Sequence, residues 1–248
     1  MEEGKSTVRS VERALDILLC FTEHQEWAMT EIASKVNLHK STVHRLLASL
    51  EHKGFVTRNP ETDKYKLGFR IWELSAHLSE TDDPAIVLLP ELERLRDQLE
   101  ETVSLYIRDG KERIRIQAVQ SRQSIRRVAT VGARLPLYVG ASSKVLLAFA
   151  PKEIQEQILR DEEWPDFIEK MAFEQQLAQI REIGYATSIE EREAGAAAVA
   201  VPIYDRHHQM VAALSVSGPA NRLTVDKMKE HVPTLIEAAR RMGSMIRP

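Results

Sequence analysis

Residues 29–54 constrain this chain more than any other stretch, because they read as two short helices joined by a three-residue bend. Thr30 is positioned to cap the first helix, whose inner residues are Ile32, Ala33 and Val36. The bend is Asn37-Leu38-His39, and Asn37 falls where a left-handed residue is wanted, a conformation Asn tolerates better than most. The second helix runs over about residues 40–53 and stops at Gly54. Val43, Leu46, Leu47 and Leu50 form its buried stripe. At ~100° per residue, Ser41, Arg45, Ala48 and His52 lie opposite, flanked by Thr42, His44 and Ser49. That face is small, polar and basic, with no carboxylate before Glu51. Such a helix can enter a DNA major groove, with Arg45 reading guanine and Ser41, Thr42 and His44 reaching base edges or phosphates. A plain helical hairpin with a solvated face fits the same pattern.

After Gly54 the period changes. Residues 55–58 and 64–67 read as two short strands around the turn Asn59-Pro60-Glu61-Thr62-Asp63, a wing directly behind the second helix. Arg58 and Lys64 lie near its tip, within reach of phosphate or a minor groove. Ahead of the hairpin, Val11, Ala14, Leu15, Leu18 and Thr22 repeat at helical spacing, with Ser10 as a plausible cap and Arg9 able to touch phosphate. Three helices and a wing make a winged helix-turn-helix domain over residues 6–68. The formal net charge of the chain is −3, so any DNA contact must be a local patch. Residues 35–70 supply one: Lys35, Lys40, Arg45, Lys53, Arg58, Lys64, Lys66 and Arg70 against Glu51, Glu61 and Asp63. The candidate DNA contacts are Thr30, Lys40, Ser41, Thr42, His44, Arg45, Arg58 and Lys64.

Residues 69–83 read as a linker. Its helix has two apolar stripes, Phe69, Trp72 and Ala76, then Ile71, Leu74 and Leu78; one can cover its own domain and the other asks for a second subunit. A helix buried within one chain is the alternative. Residues 84–248 form the second domain. The pattern predicts a helix over 84–101, strands over 103–107, 113–119 and 124–130, and a helix over 144–149. Helices over 151–160 and 173–183, strands over 196–204 and 209–217, and a closing helix from 223 or 224 to 245 follow. Ile114, Ile116 and Ala118 are read opposite Arg113, Arg115 and Gln117. Consecutive hairpins with helices at both ends imply an α+β domain with a mostly antiparallel sheet. One cysteine, Cys20, excludes an internal disulfide framework and a cysteine-rich zinc site, and its apolar helix points to packing. The first five residues carry no signal-peptide core, and no apolar run approaches the ~18 residues of a membrane span, so a cytoplasmic location is expected.

The order of these parts, with particular segments, resembles the IclR family of bacterial transcriptional regulators. The segments are Val11-Glu12-Arg13-Ala14-Leu15-Asp16-Ile17-Leu18, Lys40-Ser41-Thr42-Val43-His44-Arg45-Leu46-Leu47 and Tyr65-Lys66-Leu67-Gly68 in the first domain. In the second they are Ala141-Ser142-Ser143-Lys144-Val145-Leu146-Leu147-Ala148, Ile183-Gly184-Tyr185-Ala186 and Leu214-Ser215-Val216-Ser217-Gly218-Pro219. The resemblance implies a GAF/profilin-like effector-binding domain. It also implies a regulator, here read as a repressor, that binds a palindromic double-stranded operator as a homodimer or dimer of dimers. A small effector, an organic or aromatic acid, would alter its DNA affinity. Asn37 stands where the family commonly has glycine, and Ser188-Ile189 where acidic residues often precede Glu190-Glu191.

Ser215 and Ser217 point the same way from one strand, with Val211 and Ala213 before them, while Leu214 and Val216 point into a core. Two hydroxyls on an otherwise apolar face suit a small polar ligand; solvent exposure is the alternative. Gly140, Ala141, Ser142 and Ser143 precede a helix whose unpaired N–H groups can hold a carboxylate, though Ser142 or Ser143 can simply cap it. The resemblance puts Ala141 and Ser142 at ligand contacts, and Tyr138 can wall the site. Catalytic residues, cofactors and a metal are not expected: there is no Gly-x-Ser-x-Gly, phosphate loop or dinucleotide fingerprint. His207-His208 reads as part of a turn shaped by Asp205, and Glu190-Glu191-Arg192-Glu193 as a solvated charge run. The competing functions are a metabolite enzyme with an N-terminal recruitment domain and a winged protein-interaction module.

Overall fold

Local periodicity and caps account for most of the N-terminal elements. The computed structural model describes residues 7–78, 83–126, 128, 130–162 and 164–246, and the chain divides into two units, 1–81 and 82–248. The first five residues, Thr81, Asp82 and the Leu78 side chain, all used in the sequence reading, lie outside the described residues. The first unit runs α1 (Arg9–Cys20), β1 (Trp27–Ala28), α2 (Met29–Lys35), α3 (Lys40–His52), β2 (Val56–Arg58), β3 (Lys64–Leu67) and α4 (Phe69–Leu78). Ile17, Ile32, Val43 and Leu47 meet Val56 and Tyr65 in one buried core. Asn37 takes φ +51° at the bend. The wing has a third strand that the sequence reading missed: β1 pairs with β3, and Trp27 donates its indole N–H to the Cys20 carbonyl at 2.9 Å.

Three details of this unit correct the sequence reading. Thr30 is not a cap; the N-cap position is Ala28, two residues earlier, whose N–H is accepted by the Glu31 carboxylate at 2.7 Å. Ser10 lies inside α1, which follows Val8 without a side-chain cap. Val11 and Leu15 do not pack inward: the stripe that does is Ile17 and Cys20, and Val11, Leu15 and Leu19 stay more than half exposed. The inward face was misassigned because α1 is apolar on two sides. On α4, likewise, Phe69 and Trp72 stack at 5.1 Å in the open, and Leu74 is exposed.

The second unit runs α5 (Pro84–Val87), α6 (Leu89–Leu99), β4 (Thr102–Asp109), β5 (Glu112–Val119), β6 (Arg134–Pro136), α7 (Ala141–Ala148) and α8 (Lys152–Leu159). It continues through α9 (Lys170–Ile183), β7 (Ala186–Ile189), β8 (Ala196–Tyr204), β9 (Met210–Pro219) and α10 (Val225–Met245). Its six strands form one antiparallel sheet in the order β6-β5-β4-β9-β8-β7. One face packs with α5, α6 and α10 around Leu92, Leu105, Leu214 and Leu235. The other packs with α7, α8 and α9 around Val145, Leu147, Leu177 and Ala213. This is the α+β architecture expected from the sequence.

Here too the differences have physical causes. The single helix expected over 84–101 is two, because Pro90 cannot donate to a helical carbonyl one turn back and falls instead in the first turn of α6. The described residues of 124–130 are not a strand (Arg127 and Ala129 lie outside the described residues); the open edge of β5 pairs with β6. A bulge at Leu105/Tyr106 puts Gln117 opposite Leu105, away from the face of Arg115, and its amide reaches the Ala85 carbonyl at 3.0 Å. A second bulge near Ile203/Tyr204 turns Val211 onto the core behind Ser215.

Glu91 ties α6 to α10, with Arg94 and Arg241 each 2.7 Å from its carboxylate. Hydrogen bonds from Arg94, opposed by burial and aided by Arg241, hold this carboxyl below its ordinary value. The stabilisation is therefore complete above about pH 4.3, the unfolded glutamate value, and is lost as pH falls through the depressed folded value. Glu91→Gln is expected to lower stability at neutral pH by between ~1 and ~3 kcal/mol, since both arginines are part-exposed, and to flatten the acid limb of a urea-midpoint-against-pH curve. An unchanged acid limb would remove Glu91 from that role.

Candidate nucleic-acid interface and ligand pocket

On α3 the buried side is taken by Val43 and Leu47, which leaves Lys40, Ser41, His44 and Arg45 exposed and Thr42 half-buried over the first two turns. Among the described residues neither Lys40 nor Arg45 is in an ion pair. His39 sits at the N-cap, and its Nδ1 lies 2.8 Å from the Ser41 hydroxyl and accepts the Ser41 N–H at 3.4 Å. Ser41 is thus partly engaged in holding the start of the helix. Thr30 is exposed in the first turn of α2. On the wing, Arg58 pairs with Asp63 and lies 5.8 Å from the Tyr65 ring. The Asp63 hydrogen bond, before Tyr65, raises the pKa of the guanidinium. A phosphate would have to displace Asp63, which is inexpensive for so exposed a pair. Lys64 is half-buried, opposite Ala28 in the β1–β3 ladder.

In the second unit the α7 face of the sheet closes over a cavity of about 50 Å³. Ser215 and Ser217 on β9 line it, as do Gly140, Ala141 and Ser142 at the start of α7. Small residues make the space: Ala198 stands opposite Ser217, and Ala196 and Ala197 also line the cavity. Ser104, across from Ser215 on β4, has a buried hydroxyl without a hydrogen-bond partner among the described residues. Tyr138 does not join this group. It meets Trp164 edge-on at 6.0 Å and lines a separate cleft with Lys111 and Asp161.

The residues that dominate the cavity were not among the candidates read from the sequence. Arg113 and Arg115 on β5 are 4% and 5% exposed. Arg113 donates to the Ser142 hydroxyl at 2.8 Å, and its guanidinium lies 4.9 Å from the Tyr106 ring. Arg115 donates to the Tyr106 hydroxyl at 2.5 and 2.9 Å and to the Thr130 carbonyl at 3.1 Å. No carboxylate lies within ion-pair distance of Arg115 among the described residues. Among the described residues of the lining the only acid is Glu193, which stands 3.9 Å from Arg192. A buried guanidinium bonded only to neutral groups, beside a cavity, is an anion site in its chemistry. Alternating arginines in a strand of a two-faced sheet were the available clue.

The helix N-terminus is already occupied. Neither Ser142 nor Ser143 caps α7; both lie in its first turn, and Ser143 donates to the Pro136 carbonyl at 2.7 Å. The Glu191 carboxylate accepts the Gly140 N–H at 2.9 Å and lies 2.5 Å from Lys144 Nζ, whose side chain is 2% exposed. The run 190–193 is therefore not simply solvated: Glu191 supplies the counter-charge of a buried lysine. Gly140 has φ +91°, and a Cβ there would lie 3.1 Å from both terminal nitrogens of Arg113. Gly140→Ala is expected to cost about 1–3 kcal/mol and to lower the melting temperature; an unchanged melt would show that the turn relaxes freely. At the far turn, Asp205 accepts the His207 and Gln209 N–H groups at 2.9 and 2.8 Å, as its turn-forming role requires. Among the described residues no His/Cys/Asp/Glu cluster could hold a metal, and no helix is long and apolar enough to cross a membrane.

Both halves match family models: the IclR helix-turn-helix domain over residues 10–60, and the bacterial transcriptional regulator IclR C-terminal domain over 79–244. The chain belongs to the IclR family. It is 32% identical to the HTH-type transcriptional regulator KdgR of Escherichia coli over 254 aligned residues, covering 99% of this chain and 95% of that protein. With XynR of the same organism it shares 35% over 225 residues, 87% of this chain and 88% of the relative. An IclR homologue from Microbacterium hydrocarbonoxydans, crystallised with 4-hydroxybenzoate, superposes with a TM-score of 0.83 at 26% identity, over 95% and 98% of the two chains. This IclR-family chain is thus a DNA-binding transcriptional regulator with an antiparallel-sheet C-terminal domain. Asn37 takes the left-handed conformation that the bend needs, and Ser188 is among the residues that line the cavity.

Proposed function

We propose that this regulator represses genes of small-acid or aromatic-acid metabolism in the cytoplasm, and that an acid bound in the Arg115 cavity shifts its affinity for the operator. The carrying observation is a buried, positively charged cavity whose Arg115 has only neutral partners. Its hydroxyls, Ser215 and Ser217 with Ser104 behind them, add neutral donors for a carboxylate or hydroxy acid. At about 50 Å³ the cavity is well below the ~300 Å³ of larger ligand sites, which favours short organic acids unless the 190–195 loop opens for a ring. The homologue bound to 4-hydroxybenzoate supports the aromatic alternative. Thr30, Lys40, Ser41, Thr42, His44, Arg45, Arg58 and Lys64 form the proposed DNA contacts. The exposed apolar stripes of α1 and α4 support pairing of two chains as a homodimer, or as a dimer of dimers. No observation favours a catalytic role or a bare protein-interaction role.

The deciding experiment is a mobility-shift titration of the full chain on its own promoter DNA, against short oxo and hydroxy acids and against benzoates. One class should change the apparent operator affinity and raise the melting temperature. Binding of the promoter with no response to any acid would overturn the effector reading; failure to bind promoter DNA at modest salt would overturn the regulator's DNA contacts.

A further inference from the structure

We propose that the C-terminal unit carries a second ligand site, for an amphipathic carboxylate, in the groove between the C-terminal turns of α10, the end of β8 and the end of α9. The groove holds about 560 Å³, inside the ~300–1,000 Å³ range of small-molecule sites and far larger than the Arg115 cavity. Its floor is apolar: Phe149 meets Tyr204 edge-on at 5.9 Å, and Ile236 lies beside them, with Tyr204 and Ile236 both more than a third exposed. Its rim carries Arg181, Arg206 and Arg240.

The rim is net positive, with three arginines against one carboxylate, Asp205, among the described lining residues. Arg206 donates to the Ser244 carbonyl at 2.8 Å, and Arg181 to the Ala148 carbonyl at 3.3 Å and the Gln155 side-chain oxygen at 3.1 Å. These acceptors are neutral, and among the described residues none of the three arginines forms an ion pair. The one acid among the described lining residues, Asp205, holds the turn through one carboxylate oxygen, Oδ1, which accepts both turn N–H groups. The groove is also built rather than incidental. Gly243 lets α10 lie against the end of β8, since a Cβ there would meet the Tyr204 carbonyl at 1.9 Å. An apolar floor under several guanidiniums matches a ligand with a ring or short chain and an anionic head. It does not match a sugar or a cation.

The test uses 2-naphthoate as probe with the full-length chain, followed by titration calorimetry. Naphthoate binding should persist in Arg115→Met, and should weaken about tenfold in the double variant Arg181→Gln/Arg240→Gln, the weight of one charge-assisted contact. Ile236→Asp, at an exposed position, should weaken it by about as much, and keeps the test open if the double variant misfolds. The neutral 2-naphthylmethanol should bind about tenfold more weakly than naphthoate. Absence of naphthoate binding, or its loss in Arg115→Met with no change in the groove variants, overturns the proposal. So does a change of sedimentation in the groove variants with naphthoate binding intact, which would make the groove a contact between copies.

Discussion

Arg115→Met is expected to weaken the response to the effector severely while leaving operator binding in place. Truncating the charged partner of a buried carboxylate costs about 2–5 kcal/mol, so the acid concentration needed for half-response should rise by ~30-fold or more. The ligand-free variant should melt at the same temperature or higher. Methionine keeps the apolar stem and removes a buried charge whose partners among the described residues are neutral, the Tyr106 side chain and the Thr130 carbonyl. Mobility-shift titrations and thermal melts of the same preparation read both effects. A normal acid response would take Arg115 out of the pocket chemistry. A collapsed melt would make the guanidinium a structural tie rather than a ligand contact.

Arg45→Ala should have the largest effect on DNA. A bidentate arginine–guanine contact contributes about 1–3 kcal/mol of discrimination per half-site, and the preference at one operator position should relax with it. Lys40→Ala, at the first residue of α3, should instead weaken all sequences about equally and reduce the salt slope by about one. Competition titrations on operator variants over a salt series separate the two. Equal, sequence-independent losses for both variants would reduce Arg45 to a phosphate contact. Neither substitution touches the core, since α3 is held by Val43 and Leu47 on its other side.

Much of this architecture was legible without coordinates. The 3.6-residue repeat of Val43, Leu47 and their neighbours marks α3 within one residue of its end, because a helix face is a local property. The two-residue repeat of β9 puts Ser215 and Ser217 on one side for the same reason. Caps were less legible. Thr30 and Ser10 are good capping residues at the wrong positions, and Ala28 gains its bond from Glu31 three residues on. The bulges at Leu105/Tyr106 and Ile203/Tyr204 leave no mark in the pattern, yet each moves a side chain, Gln117 or Val211, to the other side of the sheet.

The pocket divides along the same line. Sequence by itself determined the helix-turn-helix, its basic outward face, the antiparallel strands and the paired serines, all of which follow from spacing along the chain. Only the tertiary structure decided that Arg113 and Arg115 are buried, that Glu191 folds back onto Gly140 and Lys144, and that Tyr138 belongs to another cleft. The reason is that burial depends on what packs against a strand. Once α7 covers that face, a row of arginines that would be an ordinary wet surface becomes a charged cavity.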